Sequence, residues 1–401
     1  MKRTVGVLLP ALALLGLTVT VAFSQSQYPE GLLNQKSSFM RSAARAMGEP
    51  FRGLTTSEGL IEGLFSVRET GVSTAPVLEA ANAFLATLDT AALSRSHFAI
   101  EDPEWRDWSN VDVGIFARRG ISLEEMNEEQ KAAAWNLLDR SLSAAGVEKT
   151  RSIMRTEQRL FEINGEPIRY HEEKYYFTFM GMPSESGPWG WQLDGHHLVI
   201  NYFVLGDQVV MTPAFWGGEP VVAEAGKYAG NIILQAEQDL GLALMQSLSA
   251  EQQAVATIDP EKTRNNLIAA ANQDNLVLDP EGIRATELDS AQQLALLGVI
   301  REYVGNLRDP HAEVTMEEIG EHLDDTWFGW RGATEDDAVF YYRIQSPVIL
   351  IEFDHQNPVG TLQKNQPGVP TRDHIHTVVR TPNGNDYGKD LLAQHLAAQP
   401  H

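Results

Sequence analysis

Apolar positions along the chain switch between helical and strand-like spacing in long blocks. Val77, Leu78, Ala81, Phe84, Leu85 and Leu88 recur three and four apart, which lines one face of a helix and predicts one opening at Ala75-Pro76. Ser122-x-x-Glu125 has the form of a capping box; it predicts a helix through Trp135, Leu137 and Leu138 to Gly146, with another from about Ser152 to Phe161. From Tyr170 the character changes. Tyr175-Tyr176-Phe177-Thr178-Phe179-Met180 is aromatic and β-prone. Leu198 to Leu205, a Gly206-Asp207 turn and Gln208 to Thr212 read as a hairpin. Phe215-Trp216-Gly217-Gly218-Glu219-Pro220 reads as a tight aromatic loop.

Helical spacing returns between about Gly226 and Asn306, in Ala229 to Leu248, Ser249 to Thr257 and Asp289 to Leu307, and again in a shorter amphipathic stretch from Glu313 to Leu323. Val339 to Ile344, Val348 to Phe353 and His374 to Arg380 then read as strands, and Leu391 to Ala398 as a closing helix. Two β-rich parts flank one helical block. That arrangement predicts an α+β fold with one mixed or antiparallel sheet formed from both parts and packed with helical layers. No Pro/Ser/Gly linker divides residues 76–401, so they read as a single α+β domain behind a partly ordered lead-in, residues 25–75.

Lys2 and Arg3 precede an apolar run from Val5 to Ala22, and Ala22-Phe23-Ser24 has the small residues of a cleavage site. Residues 1–24 therefore read as a signal peptide, and the mature chain as exported, periplasmic or secreted, without a stable membrane anchor. The 401 residues contain no cysteine, so disulfides, thiol chemistry and iron–sulfur ligation are excluded. A formal charge of −23 repels phosphate backbones and argues against nucleic acid as a partner.

Histidine placement is the main chemical signal among the 11 present. His196, His197, His355, His374 and His376 stand at strand ends among Asp, Glu and Asn. Residues two apart on a strand share a face, so His374 and His376 present two imidazoles side by side. His196 and His197 are adjacent, and only one of them faces a common pocket unless the Asp194-Gly195 turn bends the chain. Three or four imidazoles suit Zn²⁺, Cu²⁺, Fe²⁺ or Ni²⁺, and ligand type does not choose among them. Asp354 can orient a ligating imidazole. Arg380 offers a fixed cation for a small polar or anionic ligand, and Asp386 or Tyr387 can handle protons. The aromatic loops at Trp105 and Trp216 can wall a pocket. No Gly-x-Ser-x-Gly elbow, phosphate loop, dinucleotide fingerprint or His-Glu-x-x-His pair is present.

The stretches Trp191-x-Leu-Asp-Gly-His-His-Leu-x-Ile-Asn201, Thr212-Pro213-x-Phe215 and Gly218-Glu219-Pro220 resemble the DUF3500 family. So do Phe340-Tyr341-Tyr342-Arg343-Ile344, Ile351-Glu352-Phe353-Asp354 and His374-x-His376-x-x-x-Arg380-Thr-Pro-Asn-x-Asn-Asp-Tyr-Gly388. The resemblance implies one full-length domain of exported character; it supplies no substrate, cofactor or catalytic assignment. The residues themselves lead to an exported protein with a mononuclear histidine-rich metal site, in the first place a metal-dependent hydrolase. A non-catalytic metal- or small-ligand-binding protein and a metal-dependent oxidoreductase are the alternatives. All of these require imidazoles from the two β-rich parts to converge.

Overall fold

The computed structural model describes residues 30–398; the signal-peptide reading of residues 1–24 lies outside them. Helix α1 (Glu30–Gly48) precedes a segment tied to later chain, where Thr55 exchanges backbone hydrogen bonds with Leu276 and Leu278. Helix α2 (Ala75–Ala86) opens at Ala75-Pro76 as its spacing predicts and buries Val77, Ala80, Ala81 and Phe84. Helix α3 (Thr90–Ser96) is capped by Asp89, and the short strands β1 (His97–Phe98) and β2 (Ile121–Ser122) follow.

The Ser122/Glu125 capping box exists, but it closes only a 3-10 turn, Leu123–Glu125. Helix α4 (Glu128–Ser141) opens at a second box formed by Asn127 and Gln130. It stops short of Gly146 because Ser143 caps a new helix, α5 (Ala144–Asn164), by accepting from the Gly146 amide. Cap chemistry thus sets these ends, where apolar spacing runs on without a break.

The first β-rich part holds β3 (Tyr175–Met180), β4 (Pro188–Gly195), β5 (Leu198–Leu205), β6 (Gln208–Val210) and β7 (Ala214–Gly218). The last of these replaces the expected aromatic loop. Helices α6 (Gln235–Ser247) and α7 (Ala250–Ala256) follow, then β8 (Thr257–Asp259), β9 (Ile283–Arg284), α8 (Ser290–Val304) and α9 (Asp309–Glu321). The second β-rich part is β10 (Trp327–Gly332), β11 (Phe340–Gln345), β12 (Leu350–His355) and β13 (Ile375–Arg380), closed by α10 (Lys389–Ala398). Among the described residues, ten helices accompany one open, mixed sheet of 13 strands, ten of them in the path β1-β3-β4-β5-β7-β13-β12-β11-β10-β8, with β2 paired to β3, β6 to β5 and β9 to β10 beside it.

Both β-rich parts join where β7 pairs antiparallel with β13. Side chains alternate across that sheet. One face carries Trp191, Tyr202, Trp216, Phe353, Tyr342 and Trp330 against the helices, including Phe84, Leu137, Leu242 and Val299. The other face carries Val199, Phe203, Phe215 and Val378 beneath α10 and irregular chain from Leu54, Trp105, Trp108 and Ala269. Such chain leaves many backbone groups to satisfy, and the sheet answers with buried charge. Asp354 accepts from the amides of Asn266 (2.7 Å) and Leu267 (3.0 Å), and Glu352 from that of Ala269 (2.7 Å). Arg380 donates to the Ala269 carbonyl (3.0 Å) and pairs with Asp274 (2.8 Å) and Asp386 (2.7 Å).

Arg380 has no exposed surface. Its removal strands two carboxylates, so Arg380→Ala is expected to lower the unfolding free energy by about 3–5 kcal/mol, the range for one-sided disruption of a buried pair. Urea unfolding followed by circular dichroism measures this; a loss below 1 kcal/mol contradicts the anchoring role.

Candidate metal centre

A two-residue turn between β4 and β5 ordinarily selects Asn-Gly, because both positions favour positive φ. Here His196 and His197 occupy it, and His197 adopts φ 61°. A side chain of this size in the left-handed region costs on the order of 1 kcal/mol, so these residues are not explained by turn preference. The His197 carbonyl accepts from the Gly217 amide (2.8 Å), and Gly217 lies opposite His376 on β13. His197, Gly217 and His376 therefore stand in one row across three strands. A β-carbon on Gly217 would come 3.1 Å from Cδ2 of His376 and 2.8 Å from the Ile375 carbonyl oxygen. Glycine leaves room beside the His376 ring.

His374, just before β13, completes the group. Its Nδ1 lies 2.7 Å from the Asn357 carbonyl oxygen; a carbonyl only accepts, so the proton sits on Nδ1 and Nε2 keeps a free lone pair. That Nε2 is 2.9 Å from Nε2 of His376 and 3.3 Å from Nε2 of His197. Ligand nitrogens around a tetrahedral ion with bonds of ~2.0–2.1 Å stand roughly 3.3 Å apart. His197 and His374 are buried and His376 is half-buried. Burial pushes all three imidazoles below their ordinary range, and neighbouring imidazoles add to this for His197 and His376. Neutral rings with lone pairs available are the form a metal needs.

Two carboxylates support the group from outside. Glu219 accepts from the amides of Val359 (3.1 Å), Gly360 (2.8 Å) and Thr361 (3.0 Å), and from the Thr361 hydroxyl (2.5 Å). It thereby fixes the segment whose Asn357 carbonyl orients His374, and its Oε2 lies 3.6 Å from Nδ1 of that ring. Glu157 accepts from Nδ1 of His196 at 2.8 Å. Glu157, His196 and His197 also offer ligand atoms within 4.8 Å of one another. The His196 and His197 rings, however, stack at 3.8 Å with 24° between their planes, so their lone pairs run side by side and do not meet at one point. The first group, His197, His374 and His376, is the better ion site; His196 braces His197 from behind.

The remaining expected site residues lie apart from this centre. His355 pairs with Ile375, whereas Asp354 pairs with His376, which puts His355 on the opposite face of the sheet. Both its nitrogens are engaged: Nδ1 accepts from the Phe340 amide (2.9 Å) and Nε2 donates to Oε1 of Gln238 (3.0 Å). His355 is thus removed from the expected ligand set. Asp354 shares the face of His376 but binds Lys262 (3.0 Å) and the loop amides, while burial pushes it up to about 6. Arg380 and Asp386 bind each other within the same loop-anchoring network. The expected proton and anion chemistry of Asp354, Arg380 and Asp386 gives way to this role, since their polar atoms already hold protein groups. Glu157, Glu219, Asn357 and Gly217 were not singled out for the site by sequence reasoning. Only the paired glycines within an aromatic run offered a signal.

Glu219→Gln keeps shape but loses charge and half the acceptor capacity. It is expected to weaken metal affinity 10- to 100-fold, as changes to groups that orient ligands do, with His374 still present. Competition against a chelator of known affinity measures this; unchanged affinity rules out the positioning role.

No curated protein and no solved structure matches the chain. The model of one family, described as a protein of unknown function (DUF3500), matches residues 70–389. The match takes in both β-rich parts, the helical block between them and every histidine of the cluster, and the chain belongs to the DUF3500 family.

Proposed function

We propose that the protein is an exported metal-dependent hydrolase whose ion is held by Nε2 of His197, His374 and His376. The observation that carries this reading is the meeting of three ring nitrogens at 2.9 and 3.3 Å, two of the rings buried and one with its proton fixed on the far side by a backbone carbonyl. Three neutral imidazoles leave a fourth position for water, the pattern of catalytic and not structural zinc sites. An ion held by the three rings would lower the pKa of a water in that position to about 7, or polarise a carbonyl or phosphoryl oxygen there. The chain's own contribution is orientation. Asn357 sets the tautomer of His374, Glu157 and His196 hold His197 in its turn, and Gly217 leaves room for the ring of His376. His376 is the least buried of the three, so approach to the ion would be from its side. Lys2, Arg3 and the apolar run to Ala22 support export.

The test begins with elemental analysis of mature protein exposed separately to Zn, Cu, Fe and Ni. One equivalent is expected in the wild type, and less than a tenth of that in His374→Ala combined with His376→Ala, with cooperative melting kept. Hydrolysis of ester, phosphoester and amide panels should then fall at least 100-fold in the double variant. Stoichiometric metal without turnover would make this a metal-binding protein, and turnover confined to a redox-active ion would favour the oxidoreductase reading.

The depressed pKa values set the pH range of binding. Protons compete for an imidazole only below its own pKa, and these lie below the usual ~6.5 in the folded chain. Zinc retention in equilibrium dialysis is therefore expected to hold unchanged from pH 7.5 to 6.5 and to be lost only further down. Half-release above pH 6.5 contradicts the burial of the three rings.

A further inference from the structure

A second chamber lies on the helix-covered face of the sheet, away from the imidazoles. Met211, Trp216, Val304, Leu307, Ile319 and Ile349 line a cavity of about 70 Å³. Its apolar walls come from the β6 end of the hairpin, β7, α8, α9 and the approach to β12. Thr315, Glu318 and Asn385 line both this cavity and an adjoining one of about 270 Å³, which Arg68, His311, Glu317 and Glu321 also line. The inner chamber thus opens into a wider, polar antechamber.

Trp216 supplies an independent observation. The residue is 2% exposed, yet its indole Nε1 has no hydrogen-bond partner. An indole N–H can only donate, and leaving a buried donor unmade costs ~1–3 kcal/mol. Trp105, Trp108, Trp189 and Trp330 each place this proton on a carbonyl or hydroxyl oxygen, whereas Nε1 of Trp191 is also buried without a partner but does not line this cavity. Trp216 is set apart by lining a cavity. Nε2 of His311, in the antechamber, is likewise buried without a partner.

We propose that this chamber binds a neutral molecule with a short carbon chain and a carbonyl or ether oxygen, the oxygen accepting from Nε1 of Trp216. Apolar walls select the chain, because burying each methylene contributes about 0.8 kcal/mol. The indole N–H of Trp216, which no protein group accepts, selects an acceptor. Glu317, Glu318 and Glu321 at the entrance disfavour a carboxylate, and the Arg68 guanidinium that could offset them is engaged by Glu318 at 2.7 Å. A neutral head follows. The site does not depend on the metal centre, because the imidazoles belong to the other face and Trp216 supplies them no ligand atom.

The probe is 2-heptanone, titrated calorimetrically into the full chain beside heptanoate and benzene. Saturable binding of the ketone at millimolar concentration is expected, with heptanoate at least tenfold weaker. Trp216→Phe keeps an aromatic wall and removes the donor; it should weaken the ketone roughly fivefold, the worth of one hydrogen bond, and leave benzene unchanged. No saturable binding of the ketone overturns the proposal and leaves the chamber to water. Equal ketone affinity in Trp216→Phe overturns it as well, and heptanoate binding as tightly as the ketone overturns the neutral head. If Trp216→Phe does not melt cooperatively, Val304→Phe decides by filling the cavity: loss of ketone binding supports the site, and retention overturns it.

Discussion

The antiparallel pairing of β7 with β13 is the constraint on which the molecule depends. It joins two β-rich parts separated by more than a hundred residues that hold helices α6 to α9, and it makes one sheet of them. The same pairing sets Gly217 opposite His376, while β5 on the far side of β7 carries the turn with His197. A slip of one residue would send every side chain of β13 to the other face. His376 would then point into the aromatic layer beneath the helices, and Arg380 would leave its carboxylates. Fold and candidate site share one register.

That register also explains the unequal treatment of the two faces. Regular helices satisfy their own backbone, so the face beneath them can be aromatic almost throughout. Irregular chain from about residue 262 to 279 cannot do so, and its exposed amides and carbonyls meet Asp354, Glu352 and Arg380. Trp108 and Tyr387 extend the network by donating to Tyr387 and to Asp274. Removing one member of such a set strands the others. Dense polar residues at the ends of β12 and β13 therefore have a structural cause, distinct from the imidazoles that lie beside them.

This is where the sequence was readable and where it was not. Aromatic and β-prone composition between turn signals identified β3, β5 and β13, which are buried on both faces, and helical spacing identified α2 and α8, which bury one stripe against the core. The aromatic run at Phe215 suggested a loop, since Gly217-Gly218 looks like a breaker; in the fold the glycines admit neighbouring side chains, Ile233 over Gly218 and His376 beside Gly217. Strand β10, Trp327–Gly332, went unread for the same reason, with glycines at two of its six positions. His374 and His376 were legible from spacing alone. His355 was misplaced because strand parity, and not nearness in sequence, decides the face. Asp354, Arg380 and Asp386 looked chemical because composition cannot tell a reacting carboxylate from one that caps a buried loop.

What distinguishes the three imidazoles from ordinary buried histidines is an imbalance of partners. His355 shows the ordinary case, one nitrogen accepting from an amide and the other donating to a glutamine. Around His374, a single lone pair on Nε2 faces two other ring nitrogens. It can accept a proton from one of them; the second then confronts an occupied site with nothing to bind. No choice of tautomers for neutral rings satisfies all three nitrogens through one another. Protonating a ring supplies another donor but places a charge where burial opposes it. A cation at the meeting point uses all three lone pairs at once, and the donor distances already approximate those around a tetrahedral ion. The geometry is thus better matched to an ion than to any internal hydrogen-bond pattern these side chains can form.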